Sequence, residues 1–341
     1  MQYHNCWLTL NRSCNLRCRW CYARDTKYLK SDDISLENAF KIIDLCEKLN
    51  IKHITLMGGE PTLYPHIFDV LDYCKKKEIR CGIVTNGIQL ANLDYLQKLI
   101  DHGIGGISLS LKGEDAISFF DVTGFDDYET VLKAIQNLVL KECKFAVSMV
   151  LTEKNIPSYL TAIKNLKELG VKHFHFSFCY EMSYSEEYKE TLKKHNPKTI
   201  IGEFCKTYHE LDQITQHQFN LFNGLPLCIW PQKYIQKMRE KGQITSVCQL
   251  LKKSGLIFDS QGNLIPCNAM TEIKIGKIDE DFIDFSTYLQ HINQKEFKDV
   301  YDILTGLPSE KCLQCKWLPY CGGGCVCQWT NYSFEELMRM K

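Results

Sequence analysis

The chain shows no excess of charge of either sign: 41 Lys and Arg balance 41 Asp and Glu, for a formal net charge of zero. A nucleic-acid binder usually shows a basic excess, so the balance argues against one. No apolar run approaches the roughly 18–20 residues of a membrane span. The opening residues, MQYHNCWLTLNRSC, have neither the basic segment nor the apolar run of a secretion signal, so a cytoplasmic protein is expected. There is no internal repeat and no low-complexity tract. Hydrophobic residues are 45% and charged residues 24% of 341, close to globular averages, which excludes disorder, collagen and coiled coil for the whole chain. That length can bury a sizeable core and suits a barrel or two domains.

Cysteine is abundant instead, with 18 residues. Without a secretion signal, disulfides explain this poorly, and metal is the default reading. Charge is uneven in one place. Residues 1–30 carry six basic side chains (Arg12, Arg17, Arg19, Arg24, Lys27, Lys30) against Asp25. That cluster is either a solvated loop face or an attractor for an acidic peptide or an electron donor.

Strand and helix signals alternate through the first half. Short β-rich runs fall at Cys6–Leu10, His53–Met57, Ile79–Thr85, Gly106–Leu111, Lys144–Leu151 and Val171–Phe178. Between them lie helical stripes: Leu36, Phe40, Ile43 and Cys46 behind a Ser35 cap; Ile67, Val70, Leu71 and Cys74; Val131, Leu132, Ile135, Leu138 and Val139. Pro157 suits the first turn of a further helix, and Gly170 its stop. Six such units predict an α/β fold with a parallel sheet, a closed or partial βα barrel, whose ligands bind at the carboxyl ends of the strands. Periodicity fades over 181–247, read as a helical bridge. A small Cys-rich, metal-stapled domain is expected over 248–341.

Cys14, Cys18 and Cys21 form a C-x3-C-x2-C triplet directly after the first strand. Three thiolates from one tight loop can hold three irons of a cubane and leave the fourth open to a chelator. The next strand runs into Gly58-Gly59-Glu60-Pro61, where glycines permit close backbone approach to a ligand and Glu60 offers a carboxylate to an ammonium group. The third strand ends in Thr85-Asn86-Gly87, and the fourth carries Ser108, Ser110 and Lys112.

On these residues, with Trp20 directly before Cys21, the sequence over about 5–180 resembles the radical S-adenosylmethionine (SAM) enzymes. The resemblance implies a partial (βα)6 TIM-like barrel and a 4Fe–4S cluster on Cys14, Cys18 and Cys21, its open iron chelated by SAM. Glu60 and the Gly58–Gly59 backbone would hold the methionyl amine, Ser110 would contact the ribose, and backbone around Trp20 the adenine. Thr85, Asn86 and Thr152 are further candidates for lining that pocket. Many relatives carry Asp where this chain has Lys112.

The C-terminal region adds Cys248, then Gly262 four residues before Cys267, then Cys312-x2-Cys315-x5-Cys321-x3-Cys325 with Gly322–Gly324 in the last gap. It resembles the SPASM extension of radical SAM enzymes, implying two auxiliary 4Fe–4S clusters. Cys312, Cys315 and Cys321 would hold one, and Cys248, Cys267 and Cys325 the other. Either Cys327 completes the first set or that iron has another ligand, and Cys228 is the candidate for the second. Relatives that mature sulfatases place a catalytic Asp directly after the cysteine matching Cys267. Asn268 stands there, which lowers that reading.

Plainer readings stand beside these: a zinc knuckle at the first triplet and a zinc ribbon at the C-terminal run. Cys6, Cys46, Cys74, Cys81, Cys143 and Cys179 fit core positions, and Cys205 leans structural. His173 and His175 fit satisfied histidines, and Tyr180, Tyr184 and Tyr188 a solvated helix face. The function expected is modification of a ribosomally made peptide or protein by cross-linking, epimerisation or oxidation. The alternative is a small molecule such as a sugar alcohol or aminoglycoside; the rival from another class is a non-catalytic zinc or electron-transfer protein. Many such maturases carry a leader-binding domain before the barrel, and here the cluster motif begins at residue 14. Leader recognition would fall to a separate protein or to 181–247. Reduction would come from a flavodoxin or ferredoxin.

Overall fold

The computed structural model describes residues 3–21, 23, 29, 31–178, 196–330 and 332–340. All six expected βα units are present. They are β1 (Asn5–Thr9), α1 (Leu36–Lys48), β2 (His53–Met57), α2 (Ile67–Lys76), β3 (Arg80–Thr85), α3 (Leu93–Asp101), β4 (Ile104–Leu111), α4 (Ala116–Thr123), α5 (Tyr128–Leu140), β5 (Phe145–Leu151), α6 (Tyr159–Glu168) and β6 (Phe174–Phe178). Each strand pairs in parallel with the next, as crossover helices require.

Local chemistry accounts for the helices. The Ser35 side chain accepts the Asn38 amide at 3.1 Å, a cap worth about 1 kcal/mol, and α1 then buries Ala39, Ile42, Ile43, Leu45 and Cys46. All four apolar positions read in α2 are buried. Pro157 lies just ahead of α6, and Gly170 takes φ +98° after it. The strands alternate: in β4, Ile107, Leu109 and Leu111 are buried against helices, while Ser108 and Ser110 face the other way, half-buried.

The sheet runs beyond the six units. The stretch read as a helical bridge does contain helices, α7 (Pro197–Ile214) and α8 (Gln232–Glu240). It also contains β7 (Phe219–Phe222) and β8 (Ile244–Thr245), which extend the sheet from β6 in parallel. On the opposite side β9 (Gly255–Phe258) pairs in parallel with β1, followed by antiparallel β10 (Asn263–Leu264) and β11 (Gly276–Lys277). The order among described residues is β11-β10-β9-β1-β2-β3-β4-β5-β6-β7-β8. The β9 pairing sets the loop before Cys267 directly beside the loop that follows β1. Helices α9 (Phe285–Ile292) and α10 (Lys295–Leu304) come after. No described helix is long and apolar enough to cross a membrane.

Candidate active site

The loop after β1 and the loop after β2 lock together. Gly59 N donates to Asn11 O at 3.0 Å, Glu60 N to Ser13 O at 2.8 Å, and Asn11 Nδ2 to Glu60 O at 2.9 Å. The glycines are needed for this contact. A Cβ on Gly59 would sit 2.6 Å from Arg12 O and closer still to Ser13 O; one on Gly58 would strike the Asn11 side chain. Sequence reasoning expected the glycines to admit a ligand. What approaches them here is the backbone of residues 11–13, so they fix the position of the loop bearing Cys14, Cys18 and Cys21. The far side of that loop is tied to α4 through Arg17 N to Thr123 O (3.1 Å) and Arg19 N to Val122 O (3.0 Å).

Glu60 is buried, and four donors hold its carboxylate. Thr62 N (3.1 Å), Thr62 Oγ1 (2.7 Å) and Thr85 Oγ1 (2.7 Å) reach Oε1, and Asn86 N (2.7 Å) reaches Oε2. Burial still raises its pKa, with these bonds opposing the rise. Among the described residues Oε2 makes a single bond, which leaves an acceptor position for a cation. Asn86 Nδ2 donates to Asn15 Oδ1 at 2.7 Å, a second tie to the cysteine loop. Asn11, Asn15 and Thr62 were not singled out from the sequence; two polar side chains flanking Cys14 just past a strand were the available signal.

The three thiols of the loop share one neighbourhood. Burial pushes Cys14 up to about 11, with smaller upward contributions from Glu60, Cys18 and Cys21; Leu16 N, 3.4 Å from its sulfur, opposes them. Burial raises Cys18 too, and the Lys112 charge offsets part of it. A neutral thiol here must lose its proton to bind metal.

The C-terminal thiols fall into two sets, and not by the expected pairing. Cys228, Cys312, Cys315 and Cys321 line one shallow recess, walled by Trp317 and Trp329. Cys327 is buried, its sulfur in hydrogen-bonding contact with those of Cys267 and Cys325, and Cys248 lies close enough to feel both. Cys228 thus stands where Cys327 was expected, and Cys327 where Cys228 was. Among the described residues no three His, Cys, Asp or Glu side chains converge as one bound metal ion requires. A cubane asks for less convergence, because each iron takes its own thiolate.

Residues 8–156 match the family model described as the radical SAM superfamily. They form a radical SAM domain. The superfamily is one of enzymes, and its cofactors are a 4Fe–4S cluster and SAM. Among curated proteins the chain is similar to a probable GTP 3′,8-cyclase of Thermococcus kodakarensis, 27% identical over 132 residues, covering 39% of this chain and 42% of that protein. It is also similar to an AdoMet-dependent heme synthase of Oleidesulfovibrio alaskensis, 22% identical across 92% of this chain and 80% of the relative. The chain spans about half the length of several such relatives. Among solved structures, Streptococcus suis SuiB bound to its precursor peptide SuiA superposes with a TM-score of 0.72, at 18% identity, covering 100% of this chain and 77% of that one. That likeness is one of fold.

The other expected SAM contacts divide. Ser110 is half-buried at the carboxyl end of β4, on the face away from the helices. Trp20 keeps a buried indole N–H with no partner among the described residues, a donor free for a ligand. Thr85 and Asn86 are hydrogen-bonded to Glu60. Thr152 is engaged locally: its amide donates to Asn155 Oδ1 at 2.8 Å, and its hydroxyl accepts the Asn155 amide at 3.3 Å. Asn268 is buried with Nδ2 3.4 Å from Met57 Sδ and Oδ1 without a partner among the described residues, placing it at the barrel mouth beside the Gly58 loop.

Of the basic cluster, Arg12 is buried, Arg17 donates to Cys14 O (2.6 Å) and Leu16 O (2.8 Å), and Arg19 pairs with Asp121 at 2.8 Å. These arginines brace the cysteine loop; Arg24, Lys27 and Lys30 lie outside the described residues. Cys6, Cys46, Cys74 and Cys81 are core, Cys205 is buried, and Cys143 is half-buried. Half-buried His175 packs edge-on against Phe222, and burial lowers its pKa; His173 is exposed. Cys179, Tyr180, Tyr184 and Tyr188 lie outside the described residues.

Proposed function

We propose that this chain cleaves SAM reductively and takes a hydrogen atom from a ribosomally made peptide or protein. The observation that carries the SAM half is the docking of the Cys14–Cys21 loop onto Gly58-Gly59-Glu60 at the carboxyl ends of β1 and β2. Bound there, a 4Fe–4S cluster would supply the single electron for reductive cleavage of SAM, the chemistry that sets up removal of a hydrogen atom from the substrate. Cys14, Cys18 and Cys21 are the residues that would hold that cluster, and three thiolates would leave one iron to SAM. Glu60 Oε2, fixed by Asn86 N, receives the methionyl ammonium. Ser110 would contact the ribose and backbone around Trp20 the adenine, with the Trp20 indole N–H a further donor for it. The lumen side of the barrel offers Ser108 and Ser148, bonded to each other at 2.7 Å.

Likeness of fold to SuiB, a protein solved with a precursor peptide bound, supports a peptide substrate. Leader recognition by a separate protein, reduction by a flavodoxin or ferredoxin, and a cytoplasmic site of action complete the reading. The names of the two curated relatives, both of small-molecule chemistry, favour the second reading, a small-molecule substrate. The deciding experiment incubates the reconstituted enzyme, SAM and reductant with peptides encoded beside its gene, and follows peptide mass together with deuterium transfer into 5′-deoxyadenosine. Transfer from a labelled peptide supports the peptide reading. Transfer from a sugar alcohol or aminoglycoside, with none from peptide, supports the alternative.

A further inference from the structure

Resting on the reading of this chain as a radical SAM enzyme with auxiliary clusters, we propose that each auxiliary cluster is closed by four thiolates of this chain, Cys228 joining Cys312, Cys315 and Cys321, and Cys327 joining Cys248, Cys267 and Cys325.

The backbone is built around both assignments. Cys228 sits in a 3-10 turn, Leu227–Ile229, whose neighbours Leu227, Ile229 and Trp230 are all buried. Of these, Cys228 alone is exposed, lining the recess with Cys312, Cys315 and Cys321 and with its sulfur 3.9 Å from Met338 Sδ. Leu227 N points at Cys321 Sγ at 3.4 Å, so the residue beside Cys228 already solvates a partner thiol. Cys325 N donates to Gly224 O at 2.9 Å, clamping the 224–228 loop to the cysteine run. The run bends through Gly322, Gly323 and Gly324, with φ of +59°, +92° and +88°, and a Cβ on Gly324 would sit 3.1 Å from Pro226. Bulkier residues would hold Cys228 away.

The second set is more enclosed. Cys327 and Cys325 share one turn, with Gln328 N donating to Cys325 O at 2.9 Å. Cys267 lies in the segment between β10 and β11, and its sulfur faces Ala269 N at 3.5 Å. Each set thus has a sulfur aimed at by a backbone N–H, as Cys14 is by Leu16 N; such bonds tune cluster thiolates. Four irons matched by four thiolates leave no open auxiliary iron. Substrate therefore cannot be anchored by coordination to an auxiliary cluster, in contrast to the three-thiolate site that SAM completes.

The test counts iron and sulfide in the full chain, reconstituted anaerobically, with Cys14, Cys18 and Cys21 all changed to Ala so that only auxiliary clusters remain. This parent is expected to hold about eight irons, four per cubane. Cys312→Ala with Cys315→Ala should halve that. On the halved background, Cys228→Ala should remove nothing further, whereas Cys327→Ala should abolish or open the remaining cluster, with a changed EPR spectrum after reduction. On a Cys248→Ala, Cys267→Ala background the two variants should exchange behaviour. Cys143→Ala, outside both sets, controls for general damage. Loss of iron on adding Cys228→Ala to the first background, or no effect of Cys327→Ala there, overturns the assignment. A parent that binds zinc and no iron overturns the reading on which it rests; iron in the parent with the wrong epistasis overturns only the assignment.

Discussion

Gly59→Ala should displace the cluster loop while leaving the barrel folded. Its Cβ would lie 2.6 Å from Arg12 O and closer to Ser13 O, both backbone atoms tied down by hydrogen bonds to residues 59 and 60. Relief needs a shift of roughly half an ångström or more, and overpacking of this kind costs about 1–3 kcal/mol. If the loop relaxes, the native geometry is depopulated roughly 5- to 150-fold, at a tenfold change per 1.4 kcal/mol. Gly58→Ala should be milder, because its hardest contact is the Asn11 side chain, which can rotate away. The assay counts iron in a chain carrying the substitution and only the Cys14, Cys18, Cys21 site, against thermal midpoint by circular dichroism. Iron should fall in the order wild type, Gly58→Ala, Gly59→Ala, with a smaller effect on the midpoint. Full iron occupancy in Gly59→Ala would refute the argument that these glycines serve the cysteine loop.

Thr85→Val removes one of the four donors to Glu60, a charge-assisted bond worth about 1.5–3 kcal/mol; SAM affinity should drop roughly tenfold with iron unchanged, and equal affinity by equilibrium dialysis counts against it. Because burial raises the Glu60 pKa, its carboxylate is protonated at a higher pH than an ordinary carboxyl. SAM binding should therefore weaken as pH falls through that raised value, and Thr85→Val should move the midpoint further up. Asp212, at the end of α7, accepts from Gln243 Nε2 (2.6 Å), lies 2.7 Å from His217 Nδ1 and pairs with Lys241. Burial pulls its pKa up, but these partners win and hold it below the usual value. Its contribution is present at neutral pH and lost as pH falls through that depressed value. Asp212→Asn should cost about 2 kcal/mol at pH 7 in urea melts, with the difference from wild type shrinking in acid. Cys46→Ala, in the core, should lower stability by about 1–2 kcal/mol and leave iron untouched; iron loss would make it a ligand after all.

The six strands of the barrel were legible because each is a run of apolar residues framed by helical stripes; five of the expected runs differ from the observed strands by one to three residues at an end. Strands β7 and β8 were missed because they are short, four and two residues, and sit in polar surroundings. Partnership of β9 with β1, some 250 residues apart in sequence, is fixed by tertiary packing that no local pattern carries. The site was legible in its residue types. Cys14, Cys18, Cys21 and Glu60 do meet at one end of the sheet. The partner of each glycine was not, because spacing does not reveal which backbone fills the space a missing Cβ leaves. Which thiols neighbour Cys228 and Cys327 was not legible for a related reason: a count of cysteines does not say which loop folds over which, and here the Gly322–Gly324 bend brings the upstream loop to Cys312, Cys315 and Cys321.

The most direct measurement of the central claim is anaerobic. The chain is reconstituted with iron and sulfide, given SAM and a strong reductant, and followed for 5′-deoxyadenosine, with iron counted on the same sample. The account predicts deoxyadenosine from the wild-type chain, about twelve irons per chain, and no deoxyadenosine once Cys14, Cys18 and Cys21 are all changed to Ala. Absence of deoxyadenosine from a wild-type chain that binds zinc in place of iron would contradict it.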